Sequence, residues 1–288
     1  MKTKNFLYFV LLLLIGSCSV YSQKHPRFQN LLNEFGIGTY SYLLTANRPV
    51  YSVETDMVDK SKLELNTGFD AGSGTFDAPV SINYGAGKNT ELFAGIDLFS
   101  QSYDFTQKKI SGVGDANVGL KYRFQHSNKF SHVFQVLVKL PTASKDSELG
   151  TGKTDFHFGL AQAYTSNVFC YDLSLELNML HRRDFPDARK YPPAIQQKID
   201  SLKSHYDYQY EPEVVLSIGP SFNISKNVLL YSGFSFDRNT KLDYNSELVY
   251  GGFAWSISDR FAISIGGSYG LQQSGTWNVS TGMNILLN

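Results

Sequence analysis

A chain of 288 residues with 26 basic and 26 acidic side chains carries no net charge, which removes the electrostatic footprint of a nucleic-acid or anionic-surface binder. Length would allow two domains, yet barrels and sandwiches of this size commonly form one. The 24 glycines, 18 tyrosines and 21 phenylalanines, against 9 prolines and 18% charged residues, suit a β-rich chain with many tight turns.

Residues 1–22 read as an export signal: Lys2 and Lys4 precede an apolar run over 6–15, followed by small residues. The run is too short and wrongly flanked for a spanning helix. Two cleavages compete. Ile15-Gly16-Ser17-Cys18 resembles a lipobox that would leave Cys18 lipidated, whereas Val20-Tyr21-Ser22 before Gln23 fits ordinary signal peptidase cleavage. The second is favoured because an integral barrel needs no lipid anchor. Cys170 is then the sole cysteine, so no intramolecular disulfide and no cysteine metal cluster is expected, and it reads as a small apolar strand residue.

Residues 23–60 are mixed, with a possible short strand over 35–44 and then Arg48-Pro49, Glu54, Asp56, Asp59 and Lys60, too polar for a membrane span. They are expected in the periplasm or against the end of the barrel formed by residues 61–288. From Lys62 the pattern alternates with a period of two, the mark of a half-buried strand. Leu63, Leu65, Thr67 and Phe69 oppose Lys62, Glu64, Asn66 and Asp70. Leu92, Ala94, Ile96 and Leu98 oppose Glu91, Gly95 and Asp97, and Val118, Leu120, Tyr122 and Phe124 oppose Asn117, Lys121 and Arg123, with Asp115 ahead of them. The pattern recurs at 80–84, 134–140, 155–160, 172–179, 213–222, 228–236, 248–257, 261–269 and 277–287, which makes twelve strands.

The connections alternate between tight and long. Tight turns are expected at 85–90, 127–129, 166–167, 225–226 and 258–259, and longer loops at 72–77, 101–114, 141–153, 181–210 and 237–244. An even strand number, short turns on one side and longer loops on the other are the habit of outer-membrane barrels. A soluble sandwich would also alternate, but here the polar face repeatedly carries charges of both signs, which suits an aqueous or ion-paired lumen inside a lipid-facing exterior. Tyr84, Tyr122, Phe124, Tyr250, Phe261 and Trp277 are expected to form aromatic girdles at strand ends. The fold class is therefore all-β: a closed antiparallel transmembrane barrel of about twelve strands in the outer membrane.

Candidate chemistry is sparse. Gly152-Lys153-Thr154 ends a stretch that would need Gly at 147 to be a phosphate-binding loop, but Ser147 stands there and a strand follows. His157 beside Asp155 could belong to a hydrolytic site, yet no G-x-S-x-G motif accompanies it, and His25, His126, His132, His181 and His205 lack metal-ligand spacing. No catalytic, cofactor or metal residues are assigned. The lumen-lining candidates are Glu64, Asp70, Glu91, Asp97, Asp115, Lys121, Arg123, Lys139, Asp155, His157, Glu176 and Glu213. They either line a water-filled pore or pair across a narrow barrel; twelve strands lie between filled and open sizes. In the segment 181–210, Pro192-Pro193 followed by Ile195, Ile199 and Leu202 suggests an amphipathic helix, as a lid, a constriction or part of the loop surface.

Three stretches carry a family resemblance: Arg48-Pro49 with VETDMVDKSKLELNTGFD, then GVGDANVGLKYRF from Gly112, then VKLPTASKDSELGTGKTDFHFGL from Val138. In these the chain resembles bacterial outer-membrane barrels labelled "putative MetA-pathway of phenol degradation" or simply transporters. The ending Leu287-Asn288 departs from the terminal aromatic common in many such barrels. The resemblance implies a barrel that passes small compounds, hydrophobic or aromatic ones among them, with membrane lipid as its surroundings, and brings no catalytic residues. A passive channel or transporter is thus the leading expectation. A closed structural or adhesion barrel acting through its loops is the alternative, and a barrel hydrolase comes third.

Overall fold

The computed structural model describes residues 55–287, apart from 56, 73–74, 104–108, 128, 144–148, 150–151, 167–168, 182–192, 194–195, 198–209, 226, 240–243 and 272–276. The export signal, with its choice between Ser22 and Cys18, lies outside the described residues, as does the N-terminal segment up to residue 54. So does nearly all of the segment expected to hold a helix, of which Pro193, Gln196 and Gln197 are described and helical.

The strands are β1 (Leu63–Gly72), β2 (Thr75–Gly87), β3 (Thr90–Tyr103), β4 (Lys109–Gly112), β5 (Ala116–His126), β6 (Phe130–Leu140), β7 (Asp155–Thr165), β8 (Phe169–His181), β9 (Tyr210–Asn223), β10 (Val228–Asn239), β11 (Tyr244–Ser258), β12 (Phe261–Gly270) and β13 (Trp277–Leu286). Twelve of them form one closed antiparallel barrel. The short β4 pairs only with β3, which continues to β5, and β1 pairs with β13 to shut the seam. The barrel strands run from 10 to 15 residues, long enough when tilted to cross the hydrocarbon of a bilayer. Both ends of the barrel meet at the short-turn side, where Leu287 N donates to Leu63 O at 2.8 Å.

The side chains obey the membrane's rule rather than water's. Phe69, Leu98 and Phe124 point outward and are more than half exposed, whereas Asp70, Asp97 and Arg123 on the same strands point inward and are buried. Tyr84, Tyr122 and Trp277 also face outward. Phe69, Phe76 and Phe99 form a row on β1 to β3 with centroids 5.9 Å apart, and Phe130 meets Tyr164 at 5.1 Å near the other end. These rings are the girdles that settle at the two interfaces.

Several expectations need correction. Tyr250 does not join a girdle: its neighbour Val249 takes the outward position, and the Tyr250 ring lies over Gly219 and Gly233 on the inner face. A Cβ at Gly233 would run into that ring, so glycine here makes room for an interior tyrosine. The expected loop at 72–77 is a tight hairpin, because Gly72 already pairs with Thr75. The expected loop at 101–114 contains β4, which extends the β3 ladder from Ser100 to Tyr103. Bulges at Ala78/Pro79 and Arg123/Gln125 let proline and an extra residue enter the wall without breaking closure.

Leu177, central on β8 and outward, tests this orientation. Leu177→Arg is expected to cost about 2–4 kcal/mol, read as a lower urea midpoint of the lipid-embedded barrel; an unchanged midpoint would contradict a lipid-facing position.

Candidate functional site

Closure turns one face of every strand inward, and that face is where the polar residues of the alternating pattern collect. Among the lumen-lining candidates, Asp70, Glu91, Asp97, Asp115, Lys121, Arg123, Lys139, Asp155, His157 and Glu176 are buried, while Glu64 and Glu213 are partly so. They do not gather at one point. They fall into three levels along the barrel.

At the long-loop end, Lys139 Nζ lies 3.1 Å from Asp115 Oδ2 and 2.7 Å from Asp155 Oδ2. Lys139 and Asp155 are direct cross-strand partners on β6 and β7, so register places the charges together. The free oxygens of the two carboxylates tie down backbone: Asp115 Oδ1 accepts from Ala143 N at 2.9 Å, and Asp155 Oδ1 from His181 N at 2.6 Å. Thr142 Oγ1 accepts from Ala116 N at 2.6 Å, and His181 Nδ1 meets Thr154 O. Pro141, which has no N–H, ends the β6 ladder just before this knot. Beside it Gly114 N donates to Asp97 O at 2.9 Å, an approach so close that a Cβ on Gly114 would press on the Asp97 side chain. On the neighbouring strands Asp70 is paired with Asp77, and Ser100 Oγ donates to Asp77.

One step in from that end and toward mid-depth, His157 Nδ1 lies 2.8 Å from Asn178 Oδ1, and Asn178 Nδ2 donates to Glu213 Oε2 at 3.0 Å. Asp155 does not orient His157; it serves Lys139 and His181. Among the described residues, His157 Nε2, Gln135 Oε1 and Ser174 Oγ are buried and have no protein partner. Ser217 and Ser235 hydrogen-bond to each other at 2.8 Å. Phe93 and Leu137 form an apolar contact inside the barrel, where Gly119 between them leaves room for the Phe93 ring.

At the short-turn end, Glu91 on β3 and Lys121 on β5 are cross-strand partners, 3.5 Å apart and buried. Glu91 also accepts from Val58 N, and Arg123 donates to Thr55 O, so part of the chain ahead of β1 lies here.

Gly152 has a positive φ of 69°, and β7, not a helix, begins at Asp155, so the GKT tripeptide serves a loop turn. Among the described residues no group of three or more His, Cys, Asp or Glu could hold a metal ion. Reading the sequence alone passed over Asp77 and Asp237, placed in loops, and Asn178, noted only as a polar strand position; all three are buried on the inner face. Extending the alternation by one more pair at each strand end would have recovered the two aspartates.

The Lys139 knot is open to a direct test. Lys139→Met leaves Asp115 and Asp155 buried without their shared cation and is expected to cost about 3–5 kcal/mol, seen as heat modification at a lower temperature. Adding Asp115→Asn and Asp155→Asn is expected to restore most of the loss.

Known proteins resemble this barrel closely in shape and only faintly in sequence. An outer membrane channel from Pseudomonas putida F1 superposes with a TM-score of 0.58 at 9% identity, over 84% of this chain and 100% of that one. The NanC porin gives 0.53 at 8% identity, over 77% and 98%, and the KdgM porin gives 0.52 at 6%, over 78% and 99%. No curated protein sequence matches. The fold is thus that of outer-membrane channels and porins. A family model described as "Putative MetA-pathway of phenol degradation" matches residues 46–282, and the chain belongs to that family.

Proposed function

We propose that the barrel is a passive outer-membrane channel for a small solute, and that the twelve interior candidates line its path. The carrying observation is the set of buried interior atoms on Gln135, His157 and Ser174 that have no protein partner among the described residues. Buried polar groups are nearly always hydrogen-bonded, and water in the bore supplies what the protein does not. The arrangement of charge agrees with this. The ion pairs of Lys121 with Glu91 and of Lys139 with Asp115 and Asp155 join neighbouring stretches of wall, so they need not close the bore. The description of the family names phenol degradation, which makes small aromatic compounds the natural first cargo to assay.

The lining also points to a preference among ions. Of the twelve interior candidates, Glu64, Asp70, Glu91, Asp97, Asp115, Asp155, Glu176 and Glu213 are carboxylates, against Lys121, Arg123 and Lys139 as permanent cations. Rings of carboxylates favour cations in a pore. No catalytic role falls to His157, whose Nδ1 is engaged by an amide rather than by a carboxylate.

In planar bilayers the protein is expected to conduct, and a KCl gradient is expected to give a reversal potential of cation-selective sign. Glu176→Gln with Glu213→Gln should lower that selectivity while leaving insertion intact. Absence of conductance from protein with heat-modifiable migration would overturn the channel.

A further inference from the structure

The inner wall has two unlike halves. Asp97, Lys121, Arg123, Lys139, Asp155 and Glu176, on or beside β3 to β8, are buried, whereas the inward Tyr231, Tyr250, Ser264, Ser268 and Ser280, on β10 to β13, stay partly exposed. In a closed barrel an inward side chain meets solvent through the bore. An open strip of the bore therefore runs along β10 to β13, and Asp172 on β8 is an inward carboxylate that shares this partial exposure.

Two tyrosines shape that strip. Tyr250 is the cross-strand partner of Gly233, and Tyr231 that of Gly252. A Cβ on Gly233 or Gly219 would meet the Tyr250 ring or its hydroxyl, and one on Gly252 or Gly266 would meet the Tyr231 hydroxyl. Each ring thus lies along the wall over glycine backbone, Tyr250 reaching toward β9 and Tyr231 toward β12, with its other face turned to the bore. Gly219, at the hydroxyl end of Tyr250, is the cross-strand partner of Asp172. Asp172 and Tyr231 both stand close enough to Tyr250 to act on it electrostatically. Asp172 Oδ2 lies 4.0 Å from Cys170 Sγ, and among the described residues no cation pairs with this carboxylate. Lys121, Lys139 and Arg123 are engaged elsewhere, by Glu91, by Asp115 and Asp155, and by Thr55 O.

The face of an aromatic ring is negative at its centre and attracts cations, most effectively those that hold their water loosely. A carboxylate without a protein cation, set beside two such faces, complements a positive charge with apolar flanks. A metal ion would want further ligands, and among the described residues no group of three or more His, Cys, Asp or Glu could supply them. We propose that Asp172, Tyr231 and Tyr250 form a binding site in the bore for a small organic ammonium ion, the carboxylate meeting its charge and the two rings its alkyl groups. The site rests on the channel reading above and names the class of cation that the bore selects.

The test uses the full chain, with choline as the probe and 3,3-dimethylbutan-1-ol, of the same shape with carbon in place of the charged nitrogen, as its neutral control. Binding is read by saturation-transfer NMR on protein in a maltoside detergent, and passage by block of the potassium current in planar bilayers. Choline is expected to bind and to block, and the alcohol to do neither. Asp172→Asn, and separately Tyr231→Leu with Tyr250→Leu, are expected to weaken choline roughly tenfold. Tyr231→Phe with Tyr250→Phe keeps the ring faces and is expected to keep the binding. Heat-modifiable migration checks folding, and should Asp172→Asn fail to fold, the tyrosine variants carry the test. A potassium current with no choline binding, or with equal binding of choline and the alcohol, overturns the site and leaves the channel standing. A loss in the phenylalanine pair as large as in the leucine pair overturns the role of the ring faces. Choline binding with the expected pattern but no potassium current overturns the channel instead.

Discussion

The requirement that no backbone N–H or C=O face hydrocarbon unpaired governs this molecule. In lipid each such group would cost several kcal/mol, so a sheet can cross only if it has no edge. The seam between β1 and β13, paired from Glu64 opposite Leu286 to Gly72 opposite Asn278, removes the edge. Everything else follows from that closure. The outer face must match lipid, hence the exposed leucines and phenylalanines, and polar side chains are sent to the inner face, where they meet one another, water or the chain itself.

Charges sent inward need partners, and neighbouring strands supply them at fixed register. Lys121 finds Glu91 and Lys139 finds Asp155 because they are opposite residues in adjacent strands. The knot around Lys139 does more than neutralise charge. Asp115 and Asp155 use their remaining oxygens to hold the backbone of Ala143 and His181, so the long-loop end of the wall is fastened from within. That geometry gives a role to three stretches of this chain. GVGDAN supplies the close-packed Gly114 and Asp115, VKLPTA supplies Lys139, the ladder-ending Pro141, Thr142 and Ala143, and GKTDF supplies Asp155. The stretch before β1 supplies Thr55 and Val58, which meet the opposite end of the barrel.

Much of this was legible from alternation alone. Twelve strands, the tight turns at 127–129, 166–167 and 258–259, and the long loop at 141–153 follow from where apolar and polar residues trade places and where the exchange stops. Strand ends were harder. Gly72 and Thr75 pair beyond the point where alternation fades, and β4 has too few residues to show a period. Tyr250 was misplaced because a tyrosine suits either face; what sends it inward is the line of glycines opposite it, visible only once β9, β10 and β11 lie side by side.

The amino-acid sequence by itself determined the class of solvent and the architecture, because a period of two with charges on one face and lipid-compatible side chains on the other has few solutions other than a closed barrel. Which interior residues act together was decided by the tertiary structure. The Lys139 knot joins residues from four strands or their edges, and the Glu91 and Arg123 contacts join the wall to backbone 33 and 68 residues away. Such contacts are made to main-chain atoms, which every residue carries, so no side-chain pattern announces them. They exist only where closure and register bring the chain back upon itself.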